Sequence, residues 1–192
     1  MSDNVVSDKS QISREEDGLL SKHYKYWKSI IDPKRCIICK TQHGKVYLIN
    51  EEPNPKPPIH LCCRCSIQIM EALLPGKATK KGISGADWWL VNFFTLPDYY
   101  ITEDEALSYG WIPKSGNLAS VAPGKMVTMG VYKNRNGHLP SALGREWFEA
   151  DIDYDYGYRG TARIVFSNDG LIFVTFDHYN TFIEIVTEED SE

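Results

Sequence analysis

Several features are missing from this chain, and each absence excludes something. No run of about 18 consecutive apolar residues occurs, so no membrane span is expected. The opening stretch "MSDNVVSDKSQISREEDG" has no apolar segment, and no secretory signal peptide is expected there. There is no glycine-rich phosphate loop, no nucleophile elbow and no internal repeat, so nothing points to a P-loop enzyme, an α/β-hydrolase or a solenoid. Cysteine is confined to one stretch: Cys36, Cys39, Cys62, Cys63 and Cys65. An odd, clustered set without a signal peptide argues against a disulfide framework and for a metal site.

What is present suffices for a core. The chain has 192 residues, 42% of them hydrophobic and 12% aromatic, which suits one full domain and a smaller segment. Net charge is −5 but unevenly shared. Residues 1–84 carry 14 Lys/Arg against 9 Asp/Glu, whereas residues 85–192 carry 7 against 17. The asymmetry supports a two-part chain and argues against assuming nonspecific nucleic-acid affinity in the second part.

Residues 1–18 read as disordered, being polar and aperiodic. Leu20, Tyr24, Trp27 and Ile31 recur at helical spacing, so residues 19–75 are expected to hold a helix followed by a Cys/His element. "GKATKKGISG", residues 76–85, is small, basic and glycine-rich, as a linker would be. The rest, 86–192, begins with "ADWWLVNFF", expected as a helix. A second helix is marked by a capping box, Thr102 with Glu105, and by Gly110 at its end. A third is expected in "NLASV". The period then changes to two: "MVTMGVY", "REWFEADID", "RIVFS", "LIFVTF" and "TFIEIV" read as five strands. Helices followed by strands indicate an α+β fold with a five-stranded antiparallel sheet, preceded by a small zinc-stabilised segment.

In "REWFEADI" the alternation places Trp147, Glu149 and Asp151 on one sheet face, opposite Phe148, Ala150 and Ile152. A carboxylate among apolar neighbours in mid-strand costs free energy unless it is solvated, paired or used. Arg159 and Arg163 follow in "YRGTAR", and His178 stands beside Tyr179 at a strand-to-strand corner. Taken singly, each has an ordinary reading: a solvated strand carboxylate, turn arginines in surface ion pairs, a surface histidine. Taken together, a carboxylate, two arginines, a histidine and a tyrosine suit acid–base work on a phosphodiester.

From about Ala86 to Ile185 the sequence resembles the barnase-type microbial ribonucleases. The matching stretches, in order, include "LPDYYIT", "GW", "GNLA", "VAPGK", "NRNGHLP", "EADI", "GYR", "RI" and "DHY" followed by "TF", and no gap is needed from Leu96 onward. The resemblance implies an endoribonuclease that cleaves single-stranded RNA after purines, preferring guanine, without a catalytic metal, through a 2′,3′-cyclic phosphate. It makes Glu149 the general base, His178 the general acid, Arg159 and Arg163 the phosphate-holding cations and Tyr179 an active-site tyrosine. Asn134 and Arg135 fall in the family's guanine-recognition loop. Three positions depart from the pattern. Glu103 replaces the family's catalytic lysine, Gly130 replaces its neighbouring aspartate, and Asn136 replaces a glutamate that accepts hydrogen bonds from guanine. A carboxylate in place of a cation should weaken phosphate binding, and an amide in place of a carboxylate should relax base preference.

"CIIC" supplies two thiolates at metal-ligand spacing, and "HLCCRC" supplies four further donors. Structural zinc held by Cys36, Cys39, Cys63 and Cys65 is expected, with His60 as the alternate to the last two. The pattern from Trp27 to Cys65 resembles, less specifically, the C-terminal Cys/His element of Mu-type phage head-morphogenesis proteins. That resemblance implies a ribonuclease effector carried on a phage-head-like element, with phage head proteins as partners, while the ribonuclease resemblance implies a small acidic barstar-like inhibitor. It further implies cytoplasmic synthesis with virion association or export by a route needing no signal peptide, or an extracellular protein. The alternative is a structural virion-type protein whose ribonuclease-like domain has lost useful activity.

Overall fold

The computed structural model describes residues 19–187; the expectation of disorder for residues 1–18 lies outside them. Among the described residues, nine strands form one sheet: β1 (Leu20–Lys28), β2 (Val46–Leu48), β3 (Ser66–Leu73), β4 (Tyr100–Thr102), β5 (Met126–Tyr132), β6 (Trp147–Asp151), β7 (Arg163–Ser167), β8 (Ile172–Thr175) and β9 (Ile183–Ile185). Four short helices accompany them: α1 (Ile37–Gln42), α2 (Ala86–Phe93), α3 (Glu103–Ser108) and α4 (Leu118–Val121). The strand order is β2-β1-β3-β9-β8-β7-β6-β5-β4. Most neighbours run antiparallel, but β3 pairs with β9, and β4 with β5, in parallel.

The sheet is therefore larger than the five strands expected, and mixed rather than purely antiparallel. The five period-two stretches form β5 to β9 at its centre. The additions are of two kinds. β4 has three residues, too few to show a period. β1 was expected as a helix and is a strand. Tyr24 and Trp27 are buried three residues apart, as a helix would place them, but the pairing with β2 and β3 is unbroken from Tyr24 to Lys28, so alternation sets them on opposite faces of the strand, both of which are covered there. Tyr and Trp suit a half-buried strand, and a short helix has little stability of its own to oppose pairing on two sides.

The helices follow their local signals. Thr102 Oγ1 accepts from the Glu105 backbone N–H while the Glu105 carboxylate accepts from the Thr102 N–H, completing the box at the start of α3. Residues 76–85, expected as a linker, are tied down by Asp87 in the first turn of α2. Its fully buried carboxylate accepts from Gly76 N (2.7 Å), Ala78 N (2.9 Å) and Thr79 Oγ1 (3.1 Å).

The sheet carries a core on each face. On one, α2 sets Ala86 and Leu90 over Ala150, Ile152, Ile164, Ile172 and Val174. On the other, Tyr24, Val46 and Met70 from β1 to β3 pack on Trp147, Val165, Phe173 and Phe182. The first half of the chain thus covers part of the face that holds Glu149.

Candidate active site

Sheet register assembles the site. Glu149 pairs with Val165, which pairs with Phe173; one row along, Asp151 pairs with Arg163, which pairs with Thr175. Residues in register on neighbouring strands share a face, so Glu149, Asp151, Arg163 and Thr175 all belong to one face of the sheet.

Glu149 is half-buried and its Oε2 accepts a short hydrogen bond from the Tyr179 hydroxyl. Burial, the bond to Glu149 and the charge of that carboxylate push the Tyr179 phenol well above its ordinary range, so it remains a donor. The Tyr179 ring stacks on Tyr132 with centroids 5.2 Å apart. Burial, and then the Glu149 charge, push the Tyr132 phenol up to about 12.

Asp151 holds the arginines. It is 1% exposed. Both its oxygens accept from Arg159, through Nε and Nη2. Arg163 Nε lies 3.0 Å from Asp151 Oδ1, an ion pair without hydrogen-bond alignment, and Arg163 Nη1 donates to the carbonyls of Gly160 and Ala162. The Arg159 guanidinium also lies 5.7 Å from the Trp111 ring. Burial disfavours its charge, but the bond to Asp151 together with the charges of Asp151 and Glu149 outweighs that and raises its pKa. One buried carboxylate between two guanidiniums leaves the group with a net positive charge, as an anionic ligand requires.

His178 and Tyr179 adopt successive left-handed backbone conformations, φ 57° and 66°. Non-glycine residues there cost about 1–3 kcal/mol each unless the surroundings hold them. Asp177 does so: its Oδ1 accepts from Asn180 N, Thr181 N and Thr175 Oγ1, and its Oδ2 from Thr181 Oγ1. Thr175 Oγ1 in turn accepts from Tyr179 N. The result is a tight corner that presents His178 to solvent with its ring against that of Tyr179, centroids 4.8 Å apart.

The turn after β5 is closed by Asn134, whose side chain accepts from Leu139 N and donates to Leu139 O, leaving Arg135 and Asn136 exposed at the tip. A depression lined by Tyr132, Lys133, Asn134, Arg145 and Trp147 flanks it. Glu103 is exposed at the start of α3, and Gly130 takes φ 71° at an irregularity in β5. Thr102 pairs with Thr128, which places both departures just beyond one paired position.

Sequence reasoning placed Asp151 on the Glu149 face without giving it a task. The available signal was its spacing two residues from Glu149 with two arginines following. Tyr132 and His138 went unremarked, because their contacts with Tyr179 come from a distant loop.

In the first half, Cys36 caps α1 and accepts from Cys39 N. His60 Nε2 lies 3.2 Å from Cys36 Sγ and 3.1 Å from Cys39 Sγ, and Cys39 Sγ lies 3.8 Å from Cys63 Sγ. Cys36, Cys39 and His60 form one compact trio of ligand atoms; Cys39, Cys63 and Cys65 form another. His60 Nδ1 donates to the Leu61 carbonyl, which turns Nε2 toward the sulfurs. Burial and the neighbouring thiols of Cys65, Cys36 and Cys63 push the Cys39 thiol well above its ordinary range. Burial opposes ionisation of Cys63 too, but hydrogen bonds from the backbone at Ile59 and Cys65 bring it to about 7. Five soft or borderline donors around one small space fit a tetrahedral zinc ion, whose charge would relieve the crowding of thiolates. Cys62 is exposed and takes no part in either trio.

A family model described as ribonuclease matches residues 91–186. A ribonuclease of Heyndrickxia coagulans is 52% identical over 97 residues, covering 50% of this chain and 89% of the relative. Ribonucleases of Bacillus intermedius and Bacillus pumilus are each 52% identical over 97 residues; there the match covers 50% of this chain and 60% of the relative.

Proposed function

The chain belongs to the ribonuclease family and is an endoribonuclease, and from that premise we propose that it cleaves single-stranded RNA on the 3′ side of guanosine by transesterification. The observation that carries the reading is the grouping of Glu149, in contact with Tyr179, beside Arg159 and Arg163 anchored on Asp151. The Glu149 carboxylate takes the proton from the ribose 2′-OH, and the freed 2′-oxygen attacks phosphorus. The bond to the 5′-oxygen breaks as His178 donates its proton to that oxygen. The product carries a 2′,3′-cyclic phosphate. Water then opens the ring with the two roles exchanged: His178 takes the proton of water and Glu149 returns one to the 2′-oxygen. Arg159 and Arg163, already oriented by Asp151, stabilise the additional charge on the phosphorane without reorganising. No step needs a metal.

Arg135 and Asn136 at the exposed tip meet the base in this reading, with Asn134 holding the turn in shape. Asn136 offers one acceptor where a carboxylate offers two, so guanine is preferred less strictly. Glu103 and the acidic second half weaken attraction to RNA. A short labelled RNA with a single guanosine among other bases tests the proposal. In EDTA, a cyclic-phosphate product ending at that guanosine is expected, and a small acidic barstar-type inhibitor should stop its formation. Cleavage at every base alike would reject the guanine preference; cleavage only with added metal would reject the mechanism.

The Cys/His cluster is proposed to bind one structural zinc ion, bracing a segment too small to fold unaided. Cys36, Cys39 and Cys63 with either His60 or Cys65 would complete four ligands. Native mass spectrometry should find one zinc per chain and none after Cys39→Ser, because Cys39 belongs to both trios. A metal-free wild type would end this part of the proposal. Resemblance of the same segment to a phage-head element supports an effector carried on a phage-type particle.

A further inference from the structure

Residues 43–46 lie outside the region that matches the ribonuclease family, yet they press on the loop that carries His178. Gly44 is buried with φ 82°, and its N–H donates to Trp27 O at 2.9 Å. A Cβ added at Gly44 would fall 1.8 Å from the Asn180 carbonyl oxygen and 3.5 Å from His138 Nδ1, so only glycine allows this approach. Two residues on, Val46 N donates to the His138 carbonyl at 2.7 Å. His138 is buried, and its Nδ1 donates to the Tyr179 carbonyl at 3.0 Å. His138 directly follows Gly137, whose N–H closes the turn by donating to Asn134 O. The segment is itself anchored. His43 caps the C-terminal end of α1, is buried and accepts from Ser29 N at 3.1 Å.

We infer that Gly44 and His138 are positioning residues for the catalytic loop, through which the first half of the chain holds His178 and Tyr179 in place. The inference rests on the ribonuclease reading for its consequence, though not for its geometry. Asp177 stabilises the corner from within; Gly44 and His138 fix it from outside, at the carbonyls of Asn180 and Tyr179 respectively. His178 is otherwise exposed, and a general acid that wanders by about 1 Å can lose about a hundredfold in rate. The same contacts tie the catalytic loop to the turn bearing Arg135 and Asn136, so both move as one unit with residues 43–46.

Three variants of the full chain test this: Gly44→Ala, His138→Leu and His138→Asn. Gly44→Ala and His138→Leu should lower kcat about ten- to a hundredfold, with KM changed by less than about threefold because the phosphate cations are untouched. Amide hydrogen exchange at residues 177–181, measured without RNA, should quicken in both. His138→Asn should recover kcat to within about threefold of wild type, since an asparagine amide can donate to the Tyr179 carbonyl. A lower melting temperature with kcat and exchange unchanged would show a merely structural role and overturn the inference. If Gly44→Ala does not fold, the two His138 variants decide alone. If wild type cleaves no RNA, the ribonuclease reading fails, while exchange at 177–181 still tests the contact; unchanged exchange then overturns the inference as well.

Discussion

Replacing His178 by alanine should lower RNA cleavage about a hundred- to ten-thousandfold, the span associated with loss of a general acid. The leaving 5′-oxygen departs poorly as an alkoxide, and His178 is the group that protonates it in the proposed mechanism. The fold should survive, because His178 is exposed and its ring touches that of Tyr179 without filling a core. The left-handed backbone at this position disfavours alanine slightly, so His178→Asn makes a useful companion; asparagine tolerates that conformation and cannot transfer a proton. Single-turnover cleavage of a guanosine-containing RNA, read with circular dichroism and the melting midpoint, checks both halves of the expectation. Retention of more than about half the wild-type rate in both variants would remove His178 from the mechanism.

Asp151→Asn carries the largest expected effect on stability. Asp151 is 1% exposed and ion-paired to both Arg159 and Arg163. The asparagine keeps the shape and removes the charge, leaving two guanidiniums close together and largely desolvated. Breaking a buried pair from one side costs about 3–5 kcal/mol, mostly from the unpaired charge left behind. For a chain of this size that corresponds to a fall in melting midpoint on the order of 10 °C. Cleavage should drop as well, because the cations lose the orientation that lets them meet the phosphorane without rearranging. Urea denaturation of wild type and variant measures the difference. A loss below about 1 kcal/mol would mean that solvent or another group neutralises the arginines, and that Asp151 does not organise the site.

How far the sequence could be read depended on whether a feature was local. The capping box at Thr102, the helix in "ADWWLVNFF" and the alternation of β5 to β9 each lie within a few residues, and each stands where the pattern put it. The stretches shared with ribonucleases brought Glu149, Arg159, Arg163, His178 and Tyr179 to attention in one step, and the fold sets Arg159 and Arg163 on Asp151 and Tyr179 on Glu149. β1 shows the opposite case. Its apolar residues recur at three and four, yet Leu20 and Ile31 are exposed, and Tyr24 and Trp27 are buried on opposite faces of a strand. Spacing alone does not tell a helix covered on one face from a strand covered on both.

The sequence by itself determined which groups are available for proton transfer and phosphate binding, and which thiols and imidazole cluster near one another along the chain. Composition, spacing and family resemblance carry that information directly. Only the tertiary structure decided that β3 adds in parallel to β9, that His60 meets Cys36 and Cys39, and that Gly44 abuts the carbonyl of Asn180. Those contacts join residues more than a hundred positions apart in two of the three cases. They are set by which apolar faces must be covered and which backbone groups must be paired, conditions that the whole chain satisfies together and no single segment records.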